Sequence, residues 1–393
     1  MAAAIDNIRQ RMPATRENAF FNTGSRGPLP EPVIDAWKLS LEKEFLLGRQ
    51  GPWYAQERTE ARQSTRQGFA RVLGAAPESI ALTSSTTEAM NTVLASLPWR
   101  EGDEIVTTNF EFPSLNTALA LLAKRFGVIV RVANMPTRAD RFDAEEVEGA
   151  IVERFEAEIT AKTKLLAFSH VLYISGLKLP LDAICRFAGD RNIAILCDAA
   201  QSVGTLPLNL TASKVDYYAF PGQKWLCGPE GIGGLYVAPH RLADLELIPT
   251  RTAEEINFSG RFVPRPGALR LEAASFDLPR LRAMDAALDW FFDTGPNFIF
   301  ARNHALARRF VNRLEDIPST RVISPEGYTS LVGFELAGWR NTDAVAKLRD
   351  MGFLVRRVPG NILRISFGYF NLESEVDDLI RAVEELAAQT TPP

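Results

Sequence analysis

Short apolar runs alternate with longer amphipathic stretches through the first two-thirds of the chain, and this alternation limits the possible folds more than any other feature. The runs lie at 80–83, 104–107, 128–132, 164–169 and 193–198. Each has the length and apolar continuity of a strand buried on both faces. Between them, 88–97, 115–126 and 181–191 are long enough to be crossover helices. Together they predict a mostly parallel α/β sheet, closed by a further strand at 233–237. Prolines at 239, 249, 264, 266 and 279 mark 239–279 as a loop-rich connection. Beyond it the pattern changes. Helices are expected at 281–292, 298–314, 343–351 and 373–388, and strands at 321–336, 353–358 and 362–367, forming a smaller α+β unit. A chain of 393 residues accommodates two domains.

Bulk composition removes several classes of function. A net charge of -4 with both signs interspersed and no run of like charge argues against nucleic-acid or polyanion binding. Cys185, Cys197 and Cys227 are an odd, widely spaced set, which fits a reducing compartment, the cytoplasm, and not a disulfide scaffold. Residues 1–16 lack the apolar stretch of a signal peptide, and no run of eighteen apolar residues suggests a membrane span. Only His170, His240 and His304 are available as imidazole ligands, without metal-site spacing, so no metal centre is expected.

Three positions carry chemistry. Ser84-Ser85-Thr86-Thr87-Glu88 follows the strand at 80–83 and opens a helix, with Ser85 and Glu88 at capping-box spacing. A helix N-terminus bearing hydroxyls either is simply capped or holds a phosphate, and the carboxyl end of a parallel sheet is where α/β folds bind ligands. Asp198 ends the buried-looking run 193–198. It either caps the following helix or faces a cation such as a protonated pyridine nitrogen, an attraction of roughly 4 kcal/mol at about 4 Å and an effective dielectric of about 20. Lys224 stands between the apolar stretch 217–221 and the turn Leu226-Cys227-Gly228-Pro229-Glu230-Gly231. It is either a solvated surface charge or, if buried, a neutral amine able to condense with an aldehyde.

In that order, phosphate turn, strand-end aspartate and lysine supply anchor, electron sink and covalent attachment for pyridoxal 5'-phosphate. The order and flanking words resemble the class V aminotransferase family of fold-type I enzymes, which includes cysteine desulfurases, isopenicillin-N epimerases and cysteine or cystine C–S lyases. The resemblance runs from Phe20-Phe21-Asn22-Thr23-Gly24 to Arg364-Ile365-Ser366-Phe367-Gly368 and beyond. It implies a large cofactor-binding domain at 25–280 with a mostly parallel mixed sheet, and a small C-terminal α+β domain at 281–393 joined by residues 1–24. It also implies that Lys224 forms the Schiff base, Asp198 partners the pyridine nitrogen and Gln201 bonds the phenolic oxygen. Ser85, Thr86 and Thr87 fall in the phosphate turn, and Phe112 where an aromatic or histidine stacks on the cofactor. Arg364, with Thr23 and Gly24, falls in the substrate region, Arg364 clamping the α-carboxylate. Ser275 falls where a hydroxyl reaches the neighbouring subunit's phosphate, which implies a homodimer.

The departures from the family pattern bear on the reaction. Pro221 and Gln223 stand where many relatives have Ser or Thr and His, although Gln223 retains an amide donor for the phosphate. Tyr173 replaces the asparagine usual in desulfurases near the phenolic oxygen; C–S lyases carry a bulky aromatic there. The C-terminal third has no cysteine to act as a persulfide-forming nucleophile. Cys227 is either a thiol near the site or a small buried residue. The expectation is therefore β-elimination from a cysteine-type amino acid. Transamination or epimerisation is the near alternative, and a sugar-type aminotransferase or non-catalytic partner the alternative of another class. Loops 48–54 and 251–267 would set specificity, and Arg356 and Arg357 either meet a second anionic group or are solvated.

Overall fold

The computed structural model describes residues 2–140, 143, 146–245, 253–256, 259, 262–272, 275–325 and 328–389. Its centre is a seven-stranded sheet in the spatial order Ile80–Thr83, Gly233–Val237, Tyr217–Pro221, Ala194–Asp198, Thr163–Ser169, Glu104–Thr108 and Ile129–Ala133. Gly233–Val237 runs antiparallel to both neighbours, and the remaining pairs are parallel. Six strands therefore point the same way. Their carboxyl ends share one edge, and the segments carrying Ser85, Phe112, Asp198 and Lys224 all leave from it. The strands are buried apart from Lys164 in Thr163–Ser169, as expected for largely apolar runs, whereas Ile129–Ala133 at one margin of the sheet is partly exposed.

A second, four-stranded antiparallel sheet has the order Thr320–Val322, Leu331–Leu336, Ile362–Ser366 and Arg356–Val358. It packs with Pro296–Leu314 and Glu373–Ala387 around Phe310, Phe334, Phe367 and Leu379. The helix Leu278–Thr294 packs on Glu31–Leu47 and Pro52–Leu73. Among the described residues, no helix is long and apolar enough to cross a membrane.

The first residues of the chain divide between the two cores. Ile5, Ile8 and Met12 bury in the large one, whereas Phe21 inserts into the small one. The strand Ala19–Phe20 pairs in parallel with Phe353–Leu354, and the chain continues beside Ile362–Ser366, where the Ser366 N–H donates to Phe21 O at 2.9 Å. Residues 22–26 are thereby led to the carboxyl edge of the large sheet.

Several elements depart from the sequence expectations. The span 321–336 is not one strand: Ser324-Pro325 interrupts it, since proline cannot donate to a ladder and the Ser324 hydroxyl instead accepts the Gly333 N–H at 2.9 Å. The span 353–358 likewise serves two sheets. Loop 48–54 ends at Gly51, because Pro52 is the first residue of a long helix, a position that needs no N–H donor. Within loop 251–267, residues 251–252, 257–258 and 260–261 lie outside the described residues, and Ala253–Ile256 and Phe262–Pro264 form an antiparallel pair.

Candidate active site

A cavity of about 300 Å³ opens at the carboxyl edge of the large sheet, bounded on its other side by the small sheet. It gathers Gly24, Ser85, Thr86, Thr87, Phe112, Tyr173, Asp198, Gln201, Gln223, Lys224 and Arg364. Thr23 and Ser275 do not line it. Thr23 is buried with its hydroxyl unpaired, and Ser275 is exposed elsewhere.

The anion end is the start of the helix Thr86–Ser96. The Ser85 hydroxyl accepts the Glu88 N–H at 3.1 Å, as the spacing predicts. The reciprocal bond differs, because the Glu88 carboxylate takes the N–H and hydroxyl of Ser84 instead of the Ser85 N–H. The turn is thus fixed from within, and the first helical N–H groups make this helix end electropositive where Thr86 and Thr87 line the cavity.

On the sheet floor, Asp198 Oδ1 accepts the Ala200 N–H at 2.9 Å. Burial raises its carboxyl above the ordinary range, against the attraction of Lys224 and the Ala200 bond. Lys224 opens partly to the cavity, with its Nζ 5.8 Å from the centre of the Phe112 ring. Desolvation by the walls lowers its amine to about 8; Asp198 opposes the shift, and Arg364 and Arg356 add to it. An amine lowered this far keeps a neutral fraction at pH 7–8, the form in which a lysine can act as nucleophile or base.

Gln201 has a fixed amide orientation. Trp225 Nε1 donates to its Oε1 at 3.0 Å, and its Nε2 donates to Gly24 O at 3.0 Å, leaving a second N–H for another acceptor. Phe112 and Tyr173 pack edge to face with ring centres 5.3 Å apart. Behind Phe112, the buried Glu111 carboxyl accepts from the Ser169 hydroxyl at 2.5 Å, the Ser169 N–H at 3.0 Å and the Thr108 hydroxyl at 2.6 Å.

The opposite wall is cationic. Arg364 is buried; its Nη2 donates to Ser25 Oγ at 3.0 Å and Asn22 Oδ1 at 3.3 Å, and its Nη1 to Tyr173 O at 3.4 Å. Burial first, then the neighbouring Arg356, pulls its guanidinium down to about 9. Close packing brings the segment 22–27 here. A Cβ on Gly24 would stand 2.9 Å from both Gln201 Oε1 and Ser366 Oγ, and one on Gly27 would stand 2.2 Å from Lys224 O. Only glycine allows that approach.

Ser25, Arg26, Ser114, Ser169 and Glu230 also line the cavity and are not among the residues expected from sequence. Ser114 carries the one local signal, a hydroxyl in the first turn of the helix that begins at Pro113. Arg356 faces in, whereas Arg357 is exposed. Cys227 is buried outside the cavity lining, in a left-handed conformation (φ 54°), and burial pushes its thiol up to about 12.

These residues fit pyridoxal 5'-phosphate. Arg364 Nε is a buried donor at the cavity without a partner, a costly arrangement unless an anionic ligand supplies one, and the Gln223 amide lines the same space. A helix end suited to phosphate, a desolvated carboxyl, an amine lowered to about 8 and an aromatic ring surround the same space.

The comparisons agree. The family model for class V aminotransferases matches residues 20–379. Isopenicillin N epimerase of Streptomyces clavuligerus is 30% identical, with 98% of each chain covered. Cysteine desulfurase CsdA of Escherichia coli is 26% identical over 96% of each. Among solved structures, the cystine C–S lyase C-DES in complex with its product cysteine persulfide superposes with a TM-score of 0.87 at 25% identity, over 95% of this chain and 99% of that one. A lysine-to-alanine mutant of the same lyase, with glycine covalently linked to its PLP cofactor, gives the same TM-score and covers 96% of this chain and 99% of that one. The chain belongs to the class V aminotransferase family and is a pyridoxal 5'-phosphate-dependent enzyme.

Proposed function

We propose that the protein is a C–S lyase that performs β-elimination on a cysteine-type α-amino acid, releasing a thiol or persulfide together with pyruvate and ammonia. The observation that carries this reading is the state of the cysteines. Cys185, Cys197 and Cys227 are all buried outside the cavity lining, and burial pushes each thiol upward, Cys185 and Cys227 to about 12. None is placed or ionised to accept sulfur from a substrate. The sulfur therefore leaves on the substrate fragment.

When bound, pyridoxal phosphate joins the substrate amine and withdraws the electron pair left at Cα. In this reading Ser85, Thr86, Thr87 and Gln223 hold its phosphate, Asp198 keeps its ring nitrogen protonated, Gln201 donates to its phenolic oxygen, and Phe112 with Tyr173 covers its ring. Arg364 fixes the substrate α-carboxylate. Lys224 Nζ takes the Cα proton, the Cβ–S bond breaks with sulfur keeping the electron pair, and the released enamine takes up water to give pyruvate and ammonia. Thr23 supports the turn that carries Gly24 and acts through it.

The exposed side chains of the helix Glu31–Leu47 suit a second copy of the chain: Leu39, Phe45, Leu46 and Leu47 form an apolar surface, with Phe45 87% exposed. A homodimer would cover them, and Ser275, exposed and away from its own cavity, would serve the partner's phosphate. Three free cysteines fit a cytoplasmic location. The similarity to isopenicillin N epimerases favours epimerisation as a second reading, since it begins with the same proton removal.

The test is to incubate the cofactor-loaded enzyme with cystine, cysteine S-conjugates and ordinary amino acids, without a keto-acid acceptor. Sustained pyruvate release is expected, abolished in Lys224→Ala together with the borohydride-fixed cofactor mass on Lys224. Inversion at Cα or keto-acid exchange without pyruvate would sink the lyase assignment.

A further inference from the structure

The cationic wall holds one more charge than an ordinary amino acid can neutralise. Arg356 and Arg364 are direct cross-strand partners in the antiparallel pair Arg356–Val358 and Ile362–Ser366, so their side chains leave the same face of the sheet. Like charges directly opposite each other destabilise a sheet. Here a single hydroxyl spans them: Ser25 Oγ accepts from Arg356 Nη1 at 2.8 Å and from Arg364 Nη2 at 3.0 Å, and donates to Asn22 Oδ1 at 2.6 Å. Among the described residues, neither guanidinium forms an ion pair with a carboxylate.

The remaining charges at the cavity are matched. Arg26 pairs with Glu230 at the mouth, and Asp198 faces Lys224. The cofactor's ring nitrogen would take Asp198, and its anionic phosphate would be held at the helix end beside Thr86, on a different element from the two arginines. The α-carboxylate of a substrate then satisfies Arg364, the more deeply buried arginine. Arg356, half-buried and open to the cavity, is left over.

We infer that Arg356 is a specificity-determining residue that binds a second carboxylate, carried on the side chain of the substrate beyond Cβ, so that the enzyme selects dicarboxylic amino acids. On the reading proposed above, that carboxylate departs with the sulfur. The inference rests on an α-amino acid being the substrate and does not depend on which bond breaks. It explains why a fold retains two opposed guanidiniums bridged by a serine: the repulsion is relieved when an anion binds each one.

The experiment titrates the cofactor-loaded enzyme with S-carboxymethylcysteine and with its uncharged amide, S-carbamoylmethylcysteine, reading the cofactor's visible spectrum for binding and pyruvate for turnover. The acid is expected to bind roughly tenfold or more tightly than the amide, the scale of one charge-assisted hydrogen-bonded contact. Arg356→Gln should bring the ratio close to one, and Arg356→Lys should restore part of it, with thermal melting confirming that both variants fold. Equal binding of acid and amide by the unmodified enzyme overturns the inference. So does an Arg356→Gln variant that weakens both by one factor, which would place Arg356 on the α-carboxylate, or one that releases the cofactor, which would place it on the phosphate. Charge-dependent binding without pyruvate would sink the lyase reading alone.

Discussion

The floor and the wall of the cavity are built on opposite electrostatic plans. On the floor, supplied by the large sheet, each polar group largely has an internal partner: Asp198 has Lys224 and the Ala200 N–H, Gln201 has Trp225 and Gly24, and Glu111 has Ser169 and Thr108. On the wall, supplied by the small sheet, two arginines share one serine and, among the described residues, pair with no carboxylate. A satisfied floor is pre-organised and holds its geometry before anything binds. An unsatisfied wall is poised to gain from a ligand, because its unfavourable charge is relieved only by an anion. A permanent cofactor suits the first plan, and exchanging substrates suit the second.

The largest test breaks the floor. Asp198→Asn keeps the shape and removes the charge that would face a protonated ring nitrogen, so kcat should fall by about a hundredfold or more, the scale of stripping one partner from a buried charged pair. The cofactor-free variant should melt no lower than its parent, since burial already disfavours the Asp198 carboxylate. A lowered melting temperature with kcat intact would show that Asp198 serves the fold and not the cofactor.

A second test uses pH. Burial pushes the Glu111 carboxyl up to about 7, against the bonds from Ser169 and Thr108. A carboxyl raised in the folded state favours folding below its unfolded value, and that contribution is lost as pH rises through the folded one. Unfolding free energy should therefore decline between about pH 4.5 and 7 by about 3 kcal/mol from this group. Denaturant titrations of Glu111→Gln should show a flatter profile across that window. An unchanged slope would mean that Glu111 is ionised throughout, its three donors outweighing burial.

The smallest expected effect lies at the mouth, where Arg26 and Glu230 are both exposed. Glu230→Gln should change stability by less than about 1 kcal/mol. It also adds a third unmatched arginine to the wall. Affinity for S-carboxymethylcysteine should then rise about two- to threefold at low salt and return to the parental value near 1 M salt, where charges separated by more than about 3 Å are screened. A large loss of affinity would show that Glu230 touches the ligand.

The floor was legible in the sequence because its residues sit at the ends of uninterrupted apolar runs. Ile80–Thr83 and Gly233–Val237 fall at their expected bounds, and Asp198 and Lys224 follow directly from their strands. The wall was not legible to the same degree, since it depends on register between segments distant in the chain. The doublet Arg356-Arg357 does not reveal which residue faces inward; the pairing of Arg356 with Arg364 decides it. The turn at 22–25, closed by the Ser25 N–H donating to Asn22 O at 2.9 Å, likewise leaves Thr23 aside while Asn22 and Ser25 reach the arginines. The helix Pro52–Leu73 went unread because its sequence is largely polar, and its burial against Leu278–Thr294 is a tertiary fact.

The course of the first residues also orders the protein's own synthesis. The last strand of the floor's sheet is Gly233–Val237, but Ala19–Phe20 has no strand to join until Phe353–Leu354 exists, and Ser25 has no arginine to bridge until residues 356 and 364 emerge. The earliest part of the chain to be made must wait for nearly the last. A nascent or C-terminally truncated protein can carry every residue of the floor and still lack both arginines of the wall.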